Sequence, residues 1–476
     1  MSAQASLMQE NISRIFTIQE QRIVGLRQTG ASLRIRKLQA IRSWIKAHRR
    51  EIRQALYDDF RKPVAEADLW EIVVVIKEIR YTIRHLRRWM KPKRIPRDLL
   101  FLHARSYITY ESRGRVLIIA PWNFPFQLAM GSFISALAAG NCIILKPSEL
   151  APHTAQILKK LVADLFPPDE AIVLEGDKEV AAELLKYPFD HIFFTGGTEI
   201  GKKVMRAASD HLASVSLELG GKCPAIVDKS ADLKDSVKKI AWGKFSNAGQ
   251  TCVAPDYVIV AHEIFDRFLE ALVSEIKKNY ICGESGEETG FNGFGSIIDE
   301  NHFQRLARLL QDARQKGADV VLGGQFDRKL RCIEPTVLTG IDPDARIMRE
   351  EIFGPILPVL AFDQIDQAIE IVNRNPHPLG IYFFSKDKRS FQKVVRHTVS
   401  GGTCLNDLVV QFVHDGLPFG GAGDSGIGRA HGFAGFKEFS NERTMMIGNK
   451  FDPIKLIFPP ITPVKQKIIE ILYKYF

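Results

Sequence analysis

The chain has 476 residues, 45% hydrophobic and 25% charged, with a formal net charge of +10. That length exceeds one ordinary core and implies two or three domains, while the composition excludes a disordered or collagen-like chain. No apolar run reaches the ~18 residues of a bilayer span. Residues 1–30 are too polar for a signal peptide, and the six cysteines form neither a CxxC pair nor a Cys/His cluster of zinc spacing.

In chain order, residues 3–90 read as helices with long amphipathic stretches, and most of the basic excess lies near the N-terminus, from Arg34 to Arg53 and from Lys77 to Arg97. Such a stripe can face nucleic acid, an anionic membrane or an anionic cofactor. The interleaved Asp58, Asp59, Glu66, Asp68 and Glu71 favour two solvated helix faces and no nucleic-acid partner. Pro92–Pro96 (PKRIP) breaks the helices, and residues 105–113 alternate as a strand or hairpin arm. The pattern then changes to apolar strands that do not alternate: Val116–Ala120, Cys142–Leu145, Ala171–Leu174, His191–Thr195 and Ser214–Leu217. Helices fall between them at Gln127–Ala139, Pro152–Phe166, Glu179–Leu185 and Glu199–Ala208. Strands of this kind separated by helices predict a parallel sheet covered on both faces, a doubly wound α/β domain of the type that holds dinucleotides. A second α/β run begins at Pro224–Val227 and continues to about residue 415, with helices at Leu233–Phe245, Phe265–Asn279 and His302–Lys316. Gly420–Gly428 is too glycine-rich for helix or strand, and an apolar-rich helix follows Pro459, Pro460 and Pro463.

Three residues attract attention for their chemistry. Cys252 follows a glycine-containing turn in FSNAGQTCVAP; a cysteine nucleophile needs exposure, amide donors and a partner for its proton, although a lone cysteine is more often a buried structural thiol. Glu218, in SLELGGK, sits at the carboxyl end of a strand, where active-site groups of open α/β sheets gather. It either acts there, caps a helix or pairs with Lys222, because an unpaired carboxylate in an apolar strand is costly. Asn123, in APWNFPF, is held between two aromatics and two prolines, which suits either a rigid oxyanion donor or an Asx-turn.

PWNFP, KPSE, GGTEIG, ELGGK, GQTC, EEIFGP and LPFGG stand in the order seen in aldehyde dehydrogenases, from about residue 30 to 445, and the chain resembles that family. Gly249–Tyr257 (GQTCVAPDY) and the short N-terminus resemble its class 3 or fatty-aldehyde branch. The resemblance implies that Cys252 attacks an aldehyde, that Asn123 and the Cys252 amide hold the oxyanion, that hydride leaves for a nicotinamide, and that Glu218 activates water against the resulting thioester. It implies that Lys146 and Glu149 meet the adenosine ribose, that Gly196, Gly197, Thr198 and Gly201 cradle the pyrophosphate at a helix start, and that Glu351 and Phe353 hold the nicotinamide riboside. NAD is expected over NADP, because Glu149 would repel a 2′-phosphate; NADP remains usable. Read from its residues alone, KPSE is a loop salt bridge and Glu350–Glu351 a solvated acidic pair.

The expected organisation is a dinucleotide domain from residues 1–90 and 112–219, a catalytic domain from 220–415, an oligomerisation arm from 91–111 and 425–448, and a tail from 449. The class 3 resemblance implies a homodimer, and an apolar aldehyde is the expected substrate, with Phe124, Phe126 and Phe419 as candidate lining or core. Gly197 departs from the serine usual in the family, and Cys223 and Cys404 stand where other residues are usual. Cys223 can oxidise against Cys252 only if the fold joins them. The tail face Val464, Ile468, Leu472 and Tyr475 is expected to dock on the protein itself, on its own dimer or as a cap on the substrate funnel, ahead of peripheral contact with a membrane surface. The expected compartment is the cytoplasm. A CoA-acylating or semialdehyde enzyme and a non-catalytic protein on the same fold are the alternatives; retention of Glu218 argues against the first, and of Cys252, Asn123 and Glu218 together against the last.

Overall fold

The computed structural model describes residues 3–97, 101, 103–281, 294–375, 377–449, 455 and 458–475. Cys282 lies outside them. Helices Ala3–Arg27, Ala31–Ala47, Arg49–Phe60 and Val74–Trp89 open the chain. Strands β1 (Lys93–Arg94) and β2 (Ala104–Ser112) follow as an antiparallel pair.

Next come β3 (Arg115–Ile119), β4 (Cys142–Lys146), β5 (Ala171–Val173), β6 (His191–Thr195) and β7 (Ser214–Glu218), all parallel. Every residue of β3 and β4 is buried, as runs without alternation require when helices cover both faces. On one face lie Leu38, Ile41, Ile79, Phe133 and Leu158; on the other, Ile12, Ile15, Val204 and Ala208. The helix Pro125–Ala139 is the most enclosed, starting on proline and ending at Gly140 with φ +86°. At that end the Arg34 guanidinium donates to Ala138 O at 2.8 Å, and a Cβ on Gly140 would stand 2.4 Å from it. Arg34 is therefore a buried cap, not part of a solvated stripe. Lys37 pairs with Glu170, and Arg49 and Arg53 share Asp68.

The second unit holds β8 (Pro224–Val227), β9 (Tyr257–Ala261), β10 (Asp319–Leu322), a small hairpin of β11 (Phe326–Asp327) and β12 (Cys332–Ile333), then β13 (Thr336–Thr339), β14 (Ile356–Phe362), β15 (Gly380–Phe384) and β16 (Gly402–Leu405). Apart from the hairpin they form one sheet in the order β10-β13-β14-β9-β8-β15-β16, with only β10 antiparallel to its neighbour.

The chain then returns to the first unit. Strand β17 (Gly426–Ile427) pairs antiparallel with β7, giving the order β17-β7-β6-β3-β4-β5, and the helix Gly432–Glu438 packs on Pro125–Ala139. The glycine-rich stretch thus contains a strand where none was expected. At Gly426 φ is +141° and a Cβ would stand 2.1 Å from Leu217 O, so glycine here permits close strand pairing. Residues 425–439 sit with the first unit, and only β18 (Ser440–Gly448), paired with β2 along nine residues, remains with the arm. The tail helix Pro463–Tyr475 buries none of its residues; Val464 is 69% and Tyr475 72% exposed. It does not dock on its own chain. No helix among the described residues is long and apolar enough to cross a membrane.

Candidate active site

Strands β3 and β6 are neighbours, but the chain leaves β3 toward β4 and β6 toward β7, in opposite directions. Crevices at such switch points, beyond the carboxyl ends of the strands, are where open α/β sheets bind ligands. Here the crevice is a cavity of about 220 Å³ bordered by Trp122 and Asn123 after β3, Gly196 and Gly197 after β6, Glu218 at the end of β7, and Cys252, Glu351 and Phe353 from the second unit.

Cys252 follows a turn held from several directions. Asn247 and Ala248 both have φ of 53°; the Asn247 amide donates to Glu66 Oε2 at 2.9 Å. The Gln250 side chain donates to Ser296 O at 3.1 Å and accepts from the Ile298 amide at 3.0 Å. A Cβ on Gly249, at φ +72°, would meet Gly354 O at 2.3 Å, so GQTC and EEIFGP interlock through glycines. Below, the buried Tyr382 hydroxyl donates to Val253 O at 2.6 Å. Burial, then the nearby Glu351 and Glu218 carboxyl groups, push the Cys252 thiol up, while the Cys252 and Val253 amides pull it down. A thiol pushed up in this way needs a neighbour to take its proton before it can act as a nucleophile.

Asn123 does not form an Asx-turn. Its Nδ2 donates to Gln250 O at 3.1 Å, and its own carbonyl accepts from Lys62 Nζ at 3.2 Å and Asn247 Nδ2 at 3.0 Å. Lys62 and Glu71 form a fully buried ion pair beneath this loop, and Lys62 lies 4.3 Å from the Phe124 ring centroid. Burial pushes Lys62 down while Glu71 pulls it up.

Glu218 is buried, and its Oε1 has no hydrogen-bond partner among the described residues. Burial raises it to about 7, opposed by the charge of His431. Lys222 does not pair with it. Lys222 joins Asp256 instead, donating also to Ile347 O at 2.8 Å and Glu350 O at 2.9 Å, so ELGGK anchors EEIFGP. The two glutamates of EEIFGP part company: Glu350 pairs with Arg346 at the surface, 2.7 Å away, whereas Glu351 turns into the cavity and burial and Asp256 raise it to about 8. A Cβ on Gly220 would stand 2.0 Å from Glu351 Oε2, so that glycine makes room for the carboxylate.

On the dinucleotide side, the helix Thr198–Ser209 starts after Gly197 with no side-chain cap, leaving its first amides open to an anion. Gly201 is needed for packing, with a Cβ 2.6 Å from Leu219, and Thr198 Oγ1 donates to Asp424 O at 3.2 Å. A Cβ on Gly197 would touch nothing within 4 Å, so a serine would fit. Lys146 ends β4 and pairs with the exposed Glu149 at 2.7 Å, outside the cavity. These features suit a dinucleotide: uncapped amides for the pyrophosphate after β6, and a cation and carboxylate after β4 on the same sheet. Trp122 packs edge-on against Phe353 at 5.3 Å and His302 at 4.9 Å.

Phe124, Phe126 and Phe419 are buried in the core and do not line the cavity; Trp122, Leu128, Phe353 and Leu379 do. Sequence reading missed Lys62, His302, Arg305 and His431, none of which stands in a quoted motif. Arg305 donates to Glu351 O at 3.0 Å. Cys223 lies beside Cys252, its buried thiol donating to Cys252 O at 3.4 Å.

A doubly wound sheet with an anion-ready helix end, closed over by a second α/β unit that presents a thiol, defines a two-domain dinucleotide-dependent enzyme. Residues 3–445 match the aldehyde dehydrogenase family. The chain belongs to that family and is an NAD(P)-dependent enzyme that oxidises aldehydes. It is 44% identical over 440 residues to a Bacillus subtilis (strain 168) protein named as an aldehyde dehydrogenase, AldX, covering 92% of this chain and 98% of that one. It is 38% identical to aldehyde dehydrogenase family 3 member A2 of Macaca fascicularis, over 90% of this chain and 87% of that one, in line with the class 3 resemblance. Among solved structures, Staphylococcus aureus AldH in a substrate-bound state superposes with a TM-score of 0.91 at 38% identity, covering 97% of this chain and 99% of that one.

Proposed function

We propose that Cys252 is the nucleophile, Asn123 and the Cys252 amide the oxyanion donors, and Glu218 the base that activates water. The convergence of these groups on one cavity at the switch point carries the reading. The thiol gives up its proton to a neighbouring carboxylate as sulfur bonds to the aldehyde carbon. Asn123 Nδ2, already aimed across the Cys252 turn, donates to the oxygen as charge develops. A bound nicotinamide dinucleotide supplies the two-electron acceptor that leaves a thioester on Cys252. Glu218, raised to about 7, then takes a proton from water as water attacks that thioester. Mass spectrometry of Glu218→Gln mixed with aldehyde and cofactor tests this: an acyl group retained on Cys252 is expected, and its absence overturns the assignment.

The cofactor residues are Lys146, Glu149, Gly196, Gly197, Thr198, Gly201, Glu351 and Phe353, with NAD preferred. An apolar aldehyde suits Trp122, Leu128, Phe353 and Leu379. Relatives named for a coniferyl aldehyde and for 4,4'-diaponeurosporen-aldehyde support that class. A homodimer forms through the arm, where β18 is an open sheet edge with Met446 and Ile447 more than half exposed. The enzyme works in the cytoplasm, with the unburied tail helix resting on a membrane surface. Truncation after Gly448 is expected to keep the catalytic fold and abolish co-sedimentation with anionic vesicles; loss of the fold, or unchanged co-sedimentation, refutes this role for the tail.

A further inference from the structure

Where the chain returns along Glu218 through β17, the structure gathers buried polar groups that the proposed reaction does not use. His431 Nδ1 and Glu78 Oε2 are 3.1 Å apart, and both residues are more than nine-tenths buried. They meet beside Gly131 of the helix Pro125–Ala139. A Cβ there would stand 3.3 Å from Glu78 Oε2, 3.8 Å from Gln127 Nε2 and 3.9 Å from His431 Cε1. Among the described residues, Glu78 Oε1, Gln127 Nε2 and Glu218 Oε1 are buried without a hydrogen-bond partner. Strand β17 brings the chain to this place, because Gly426 pairs with Glu218 itself and His431 follows five residues later at φ +66°.

We propose that His431, paired with Glu78, is a positioning residue for thioester hydrolysis: its imidazolium keeps the Glu218 carboxylate an anion ready to take a proton from water. The proposal rests on the assignment of Glu218 as that base. A buried carboxylate with no cation nearby gives up its charge, and an adjacent cation restores it. Burial is the largest influence on Glu218, and the charge of His431 is the next, in the opposite direction. Burial lowers His431, but Glu78, through its charge and hydrogen bond, and then Glu218 and Asp415, outweigh it and raise the imidazole to about 9. The remaining charged groups facing Glu218 are Glu78 and Glu438, which push it up, and Arg429, which pulls it down. Glu78 thus has two effects: it keeps His431 charged, and it would oppose Glu218 if His431 were neutral.

The test is the pH dependence of thioester hydrolysis, measured by rapid quench between about pH 5 and 9, the window in which such groups titrate. His431→Gln retains a donor for Glu78 and removes the charge. Its acid limb is expected to move toward alkaline pH by about one unit, lowering hydrolysis up to ~10-fold on the acid side. Adding Glu78→Gln to His431→Gln removes the uncompensated carboxylate, and the limb is expected to move part of the way back. An undisplaced limb in His431→Gln, or a double variant displaced as far as the single one, overturns the proposal, since lost packing would not be relieved by a second substitution. If only the double variant folds, a smaller alkaline displacement is expected and none overturns the proposal. Glu218→Gln separates the two readings: if it hydrolyses thioester at the parental rate the base assignment fails, and if it is slow while the histidine variants keep the parental limb, only the role of His431 fails.

Discussion

The two walls of the crevice are built differently. The wall that carries Cys252 is over-determined: Gly249 against Gly354, Gln250 bridging to Ser296 and Ile298, Tyr382 beneath Val253, and Lys222–Asp256 tying ELGGK to EEIFGP. The wall on the side of the first sheet has an uncapped helix start and open space at Gly197, and outside the cavity on the same unit lies the partly exposed Lys146–Glu149 pair. Covalent chemistry needs its donor, nucleophile and base fixed before the substrate arrives. A large anionic cofactor brings many contacts of its own and needs a surface with unpaired donors. Substitutions on the first wall should therefore act on rate or stability, and those on the second on cofactor affinity.

The largest effect is expected from Cys252→Ala. Aldehyde oxidation should fall below detection while titration with NAD, followed by fluorescence, shows unchanged affinity; activity above a few per cent would remove Cys252 from the mechanism. Glu218→Gln comes next, slowing turnover on the order of 10²–10⁴-fold. Stopped flow should show a burst of reduced cofactor and then a slow steady state, whereas equal slowing of both phases would argue for a structural part. The parental enzyme sharpens the same point. The base must be ionised, so thioester hydrolysis should decline as pH falls through about 7.

Lys62→Met tests whether the first wall is also a stability element. It leaves Glu71 buried and unpaired beneath Asn123, at a cost of about 3–5 kcal/mol, readable in a denaturant melt. A loss below ~1 kcal/mol would show that Glu71 finds another partner or a proton.

The smallest effect belongs to the partly exposed pair outside the cavity. Glu149 occupies the Lys146 ammonium, which a 2′-phosphate would otherwise attract. Glu149→Gln should raise the NADP to NAD ratio of kcat/KM by roughly fivefold, the exposed charge being screened by solvent. An unmoved ratio, or a parental enzyme that already favours NADP, would contradict the ribose placement of Glu149.

What the sequence determined by itself was whatever is written in adjacent residues. Apolar runs without alternation marked β3, β4 and β6 as parallel strands, and the ordered motifs brought Asn123, Glu218, Cys252, Glu351 and Phe353 to notice, all of which border one cavity. Even so, Glu350 and Glu351 were indistinguishable locally; only the room left by Gly220 separates the cavity carboxylate from the surface one. The tertiary structure alone decided partnerships between distant positions. Lys62 reaches the Asn123 carbonyl, Lys222 chooses Asp256 over Glu218, and His431 meets Glu78 across 353 residues. The same holds for β17, whose glycines read as loop until Gly426 is seen lying against Leu217. Periodicity and turn chemistry report a residue's neighbours in the chain, whereas the partner of a buried charge is set by which strands and helices pack together, and no local pattern encodes that.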